Sequence, residues 1–66
     1  MPIIRVEMFK GRTPDQKKRI AKELIDGFIR ANGGGSPDAF DVIFTDVEKH
    51  DWAAGYEMMN EKYPGT

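Results

Sequence analysis

Thr13-Pro14-Asp15-Gln16-Lys17-Lys18-Arg19-Ile20-Ala21-Lys22-Glu23-Leu24-Ile25-Asp26-Gly27-Phe28-Ile29-Arg30-Ala31-Asn32-Gly33 is the long periodic stretch of the chain, and its reading decides the fold. Thr13 suits an N-cap, Pro14 the first helical position, and Gln16 the reciprocal partner of a capping box. Ile20, Ala21, Leu24, Ile25, Phe28 and Ile29 then recur at helical spacing, while Lys17, Lys18, Arg19, Lys22, Glu23, Asp26 and Arg30 fill the other face. One side packs and the other is wet. Asn32-Gly33 ends the helix, because glycine accepts the left-handed C-cap conformation and Gly34-Gly35-Ser36-Pro37 cannot extend it.

On either side lie strands. Ile3-Ile4-Arg5-Val6-Glu7-Met8-Phe9 reads as one. A second runs from about Ala39 to Thr45, with Phe40, Val42 and Phe44 on one face and Asp41, Ile43 and Thr45 on the other. Strand, helix, strand is a single βαβ unit of the α/β class with two parallel strands. The segment 46–56 predicts a loop and a short hairpin or turn. The C-terminal segment 58–66 carries no pattern that assigns it.

Sixty-six residues make one small domain, 1–66, of a size at which only about 60% of the unfolded chain's surface is buried. Without cysteine there is no disulfide, and with one histidine there is no structural zinc, so oligomerisation is the remaining source of stability. A two-stranded sheet with one helix also leaves two open edges and a bare sheet face, which points to a homo-oligomer, a dimer at least. The absence of a charged-then-apolar leader and of a long apolar run gives a cytoplasmic expectation with no membrane partner. A net charge of −1 with interspersed signs lacks the basic footprint of nucleic-acid binding.

Several stretches have chemical readings to weigh. Gly33-Gly34-Gly35-Ser36 follows a helix instead of preceding one and has no Lys-Ser or Lys-Thr pair behind it, so it reads as a cap and connection, not a phosphate loop. Asp46, Glu48, His50 and Asp51 alternate through a polar loop with one imidazole, and no metal is expected there. Trp52 reads as a hydrophobic anchor. Arg12 is either a solvated charge or a carboxylate contact, since it stands before a helix N-terminus where backbone donors favour anions.

Proline at position 2 has the sharpest chemistry. Removal of Met1 leaves a secondary amine on a rigid strand. An α-amino group titrates near ~8 in solution, and apolar surroundings and cations lower that value, giving a neutral base at physiological pH.

Together these residues resemble the 4-oxalocrotonate tautomerase family. A proline follows the initiator methionine, a short strand comes next, Gly11-Arg12-Thr13-Pro14-Asp15-Gln16-Lys17 opens the helix, and the aromatic-to-glycine run Trp52-Ala53-Ala54-Gly55 lies near the C-terminus. The resemblance extends from Pro2 to about Gly55. It implies a βαβ monomer, dimers whose sheets join, usually a hexamer, and active sites at subunit contacts. It also implies a cofactor-independent keto-enol tautomerase for an enolised 2-oxo acid. In it Pro2 is general acid and base, Arg12 binds the substrate carboxylate and Trp52 lines an apolar pocket. Two positions depart from the family pattern. Asp41 stands where a second, carboxylate-gripping arginine is usual, and Tyr56 replaces the second glycine after the aromatic. Asp41 disfavours a dicarboxylate and points to a monocarboxylate enol such as an arylenolpyruvate, with Arg5 either a substitute cation or a cross-strand partner of Asp41. The alternative is a catalytically silent oligomer that keeps the fold as a binding or structural module.

Overall fold

The computed structural model describes residues 2–65; Met1 and Thr66 lie outside the described residues. Two seven-residue strands, β1 (Ile3–Phe9) and β2 (Asp41–Val47), flank the helix α1 (Pro14–Asn32). The strands pair in parallel from Ile3 opposite Asp41 to Phe9 opposite Val47. The helix start follows from its sequence. Thr13 Oγ1 accepts from the Gln16 backbone N–H at 3.2 Å, and Gln16 Oε1 accepts from the Thr13 N–H at 2.8 Å. At the other end Gly33 adopts φ 82°, and the Gly34 N–H reaches the Ile29 carbonyl at 3.1 Å, closing off the last turn.

β2 begins two residues later than the sequence suggests. Pro37–Ala39 forms a 3₁₀ turn, favoured by proline at its first position, which holds Ala39 out of the sheet. Alternation along the strands is as expected. Ile4, Val6 and Met8 pair with Val42, Phe44 and Asp46 on the face that is covered except at the exposed Asp46, and α1 is tied to that face by Lys17 Nζ to Asp46 Oδ2 at 2.8 Å. Of the helix's apolar stripe only Phe28 stays exposed, at 42%, though its ring meets Phe40 edge-on at 5.0 Å.

Beyond β2 the chain makes a 3₁₀ turn (Lys49–Asp51), a hairpin of β3 (Ala53–Ala54) and β4 (Glu57–Met58), and a one-turn helix α2 (Met59–Lys62). The hairpin expected near Trp52 is there. Its two-residue loop has positive φ at Gly55 (63°) and not at Tyr56, the type II′ pattern, so the second loop position has no need of glycine. That explains locally how Tyr56 is accommodated.

The core is thin. Only Met8 and Met59 are buried apolar residues among those described. The chain exposes 5177 Å², against about 4250 Å² for a compact monomer of its mass. Its radius of gyration is 14.9 Å, where about 11 Å is usual for this length. The excess surface includes the open sheet face, where Ile3 is 54% and Ile43 40% exposed.

Candidate active site

At the C-terminal end of the parallel strands the chain builds a cluster around Phe9. Pairing is extended there by the Lys10 N–H to the Val47 carbonyl at 3.0 Å, and Gly11, at φ 137°, turns the chain toward the helix. Arg12 thus sits just before the N-cap, and its Nη1 donates to the Phe9 carbonyl at 3.3 Å. No ion pair among the described residues includes Arg12, so most of its donors remain open to an anion. Alongside it runs a groove of about 470 Å³ on the flank of α1, lined by Arg12, Gln16, Arg19, Ile20, Glu23 and Leu24. Two guanidiniums beside an apolar floor suit a ligand with a carboxylate and a hydrophobic body.

Trp52 comes to the same end of the sheet from the opposite direction. The turn before it delivers the ring against Phe9, with centroids 4.5 Å apart and planes at 57°, and the Trp52 carbonyl accepts from the Met59 N–H at 2.8 Å. Tyr63 meets Phe9 edge-on at 6.2 Å, and the Lys49 ammonium stands 6.0 Å from the same ring. Trp52 therefore anchors the hairpin, as an aromatic of this kind is expected to do, while its other side borders a cavity of about 390 Å³ with Glu7, Val47, Asp51 and Ala53. Phe9 as the hub was not singled out by sequence. The signal available was its place as the last residue of β1 on the face opposite the helix.

Pro2 lies at the other end. From Pro2 to Phe9 is seven steps of an extended strand, roughly 23 Å at ~3.3 Å per residue. One copy of the chain thus sets Arg12 on the carbonyl and Trp52 on the ring of Phe9, each bordering its own cavity, and leaves Pro2 apart from both. The neighbour that Pro2 does have is Asp41, whose backbone N–H donates to the Pro2 carbonyl at 3.0 Å. The cross-strand pair of Arg5 with Asp41 is not formed. The register sets Arg5 opposite Ile43 and Asp41 opposite Ile3, and neither charge belongs to an ion pair among the described residues.

The acidic residues expected in a loop are otherwise engaged, and Asp46 lies within β2, which runs two residues past Thr45. Asp46 holds Lys17, Glu48 holds Lys10 at 3.1 Å, and His50 lies 3.6 Å from the adjacent Asp51. Among the described residues no three His, Cys, Asp or Glu side chains converge to hold a metal ion. Lys22 has its ammonium pKa raised by the hydrogen bond and charge of Asp26, but this exposed i,i+4 pair sits on the helix surface and bears on no cavity. Among the described residues no helix is long and apolar enough to cross a membrane.

Comparison with known proteins bears on the whole of this framework. The model of the Tautomerase family, described as tautomerase enzyme, matches residues 2–62. A probable tautomerase of Ralstonia nicotianae is 36% identical over 66 residues, covering 100% of this chain and 98% of its own length. One of Lactococcus lactis subsp. lactis is 40% identical over 62 residues, covering 94% and 100%. Among solved structures, a 4-oxalocrotonate tautomerase homologue superposes with a TM-score of 0.75 at 26% identity, over 92% of this chain and 95% of the other. A 4-oxalocrotonate tautomerase isozyme of Methylibium petroleiphilum shares the fold, with a TM-score of 0.82 at 22% identity over 94% and 98%.

Proposed function

The chain belongs to the tautomerase enzyme family, and from that premise we propose that it is a cytoplasmic, cofactor-independent keto-enol tautomerase of an enolised 2-oxo acid, working as a homo-oligomer. Pro2, freed by removal of Met1, is the acid-base group. Its proton traffic is local: the enol O–H bond breaks, the carbonyl forms, and the electron pair of the C=C bond takes up a proton at carbon. Arg12 holds the carboxylate with the guanidinium donors that Phe9 leaves open, and Trp52 presents an apolar wall.

The observation that carries this reading is the separation of its parts. Pro2 stands at one end of β1 and Arg12 with Trp52 at the other, so a complete site forms where the amine end of one copy meets the Phe9 end of another. The exposed surface supports such an assembly, since 5177 Å² is about 900 Å² more than a compact monomer of this mass presents.

Asp41 favours a second reading. It puts an anion near Pro2 where a cation would grip substrate, and a chain that has lost that grip could persist as a silent oligomer. The deciding measurement is turnover of an arylenolpyruvate by protein shown by intact mass to lack Met1. Saturable turnover, with activity above the sum of the parts when two impaired variants, Pro2→Ala and Arg12→Ala, are mixed, supports a shared catalytic site; no turnover across a panel of enolised 2-oxo acids leaves the binding module.

A further inference from the structure

The groove on the flank of α1 has a donor end at the start of the helix, where Arg12, Gln16 and Arg19 line it, and Glu23 is the one carboxylate on its wall. The backbone has little left to offer an anion at that end. Pro14 has no N–H, the Gln16 N–H is taken by Thr13 Oγ1, and the Lys17 N–H by the Thr13 carbonyl. Gln16 spends its Oε1 on the Thr13 N–H, so what its amide offers the groove is its N–H donors. An anion here is therefore held by side chains, and the two guanidiniums are the charged ones.

Arg12 is partly fixed, with Nη1 on the Phe9 carbonyl at 3.3 Å. Arg19 lies five residues past Pro14, about 7.5 Å along the axis, and the Cα–Cβ bonds of a helix tilt toward its N-terminus, the direction of Arg12. Arg19 belongs to no ion pair among the described residues, although Glu23 stands four residues on, at the spacing where helical side chains meet. Lys22 and Asp26, a pair of the same charge order and spacing, close at 2.6 Å. Two like charges on one groove repel each other, and a carboxylate between them replaces that repulsion with two charge-assisted contacts. The space suits a small molecule: its 470 Å³ falls within the ~300–1,000 Å³ of small-ligand sites, and the half-buried Ile20 and Leu24 supply apolar lining.

Resting on the reading of Arg12 as the carboxylate contact, we infer that Arg19 is a second substrate-binding residue, which with Arg12 of the same copy forms a two-guanidinium clamp on the carboxylate of the 2-oxo acid. An arginine stays charged at every working pH, so the clamp adds no pH dependence of its own.

The test uses benzoylformate, a 2-oxo acid that has no hydrogen to enolise, so that binding is read apart from turnover. Its binding to protein lacking Met1 is followed on the ¹H–¹⁵N signals of the arginine Nε–H groups, and kcat and KM are measured on phenylenolpyruvate. Wild type is compared with Arg19→Ala, Arg19→Lys and Lys18→Ala, a control of equal charge beside Arg19 in sequence and outside the groove lining. In wild type the Arg12 and Arg19 signals should move together with one Kd. Arg19→Ala should raise both Kd and KM about tenfold with kcat unchanged, Arg19→Lys should recover part of the loss by keeping the charge without the fork, and Lys18→Ala should alter neither. Sedimentation of each variant at matched concentration shows whether the copies still associate alike. Signals that do not move, or a Kd and KM unchanged in Arg19→Ala, overturn the inference even in a good tautomerase. A loss that Lys18→Ala matches also overturns it, as does altered association of copies with Kd unchanged, which would make the groove an interface between copies. Binding through both arginines without turnover of any enol supports the clamp and rejects the proposed reaction instead.

Discussion

The two ends of the β1–β2 sheet are finished differently. At the Phe9 end the chain supplies its own cover: Trp52 and Tyr63 pack on Phe9, Met59 is buried, and Lys10–Glu48 and Lys17–Asp46 bridge separate elements. At the Pro2 end Ile3 is 54% exposed, and Asp41 and Arg5 stand unpaired among the described residues. In the proposed reaction the anchored end would hold the groups that bind, and the open end the group that reacts. A stable arrangement of binding residues needs local packing, whereas an amine that must reach substrate needs an end left uncovered until another copy arrives.

The most severe way to break this contrast is at Pro2. Keeping Met1 turns the proline nitrogen into an amide with no basic lone pair, whereas Pro2→Ala leaves a primary amine that is more flexible. Retention of Met1 should abolish turnover of an arylenolpyruvate, a loss of about 10²- to 10⁴-fold, while Pro2→Ala keeps a remnant. Steady-state kinetics on protein of verified intact mass checks it. Equal rates with and without Met1 would remove the open end from the chemistry.

Next comes the anchored end itself. Trp52→Ala removes the ring that holds the hairpin to Phe9, and since Trp52 is half-buried the cost is about 2 kcal/mol, below the ~3–5 kcal/mol of a fully buried aromatic. Tyr56→Ala, at a fully exposed hairpin tip, should stay within about 0.5 kcal/mol. Both are read from denaturant midpoints at one fixed protomer concentration, because association makes stability concentration-dependent. A Tyr56 loss as large as that at Trp52 would mean that another copy covers the tip, which sharpens the contrast by moving part of the anchoring between subunits.

How far the sequence shows this contrast depends on the length of the pattern at each place. The helix is legible to within its caps because Thr13, Pro14, Gln16 and Gly33 each have a stereochemical reason to be where they are. The start of β2 is blurred, since Phe40 fits the strand's alternation while the 3₁₀ turn at Pro37–Ala39 keeps the pairing from starting until Asp41. α2 is too short for a helical period to appear and rests on the burial of Met59. In the site, Arg12 and Trp52 are legible singly. Their meeting at Phe9 is a tertiary fact, set by where the turn after β2 delivers the chain.

Arg12 ranks third in expected effect. If its open donors hold the substrate carboxylate, Arg12→Ala removes a charge-assisted contact of about 1.5 to 3 kcal/mol, roughly ten- to a hundredfold in kcat/KM. The loss should fall mostly on KM, because a carboxylate that takes no part in the proton transfer is held alike in ground and transition states. A fall confined to kcat would place Arg12 at the reacting atoms, and unchanged constants would put the anion site elsewhere on the molecule.

The smallest effect expected is a change of preference at Asp41, and it tests whether the open end selects substrate as well as reacting with it. Asp41 lies next to Pro2 by register, so a second carboxylate on a substrate bound there meets an anion. Asp41→Arg replaces that repulsion with attraction at an exposed position, where an ion pair contributes about 0.2 to 1 kcal/mol. The ratio of kcat/KM for a dienol dicarboxylate over a monocarboxylate enol should therefore rise only a few-fold, and low fixed ionic strength is needed to see it. Taking the ratio cancels any effect of the substitution common to both substrates and leaves the selective part. An unchanged ratio would show that the second carboxylate is bound away from β2.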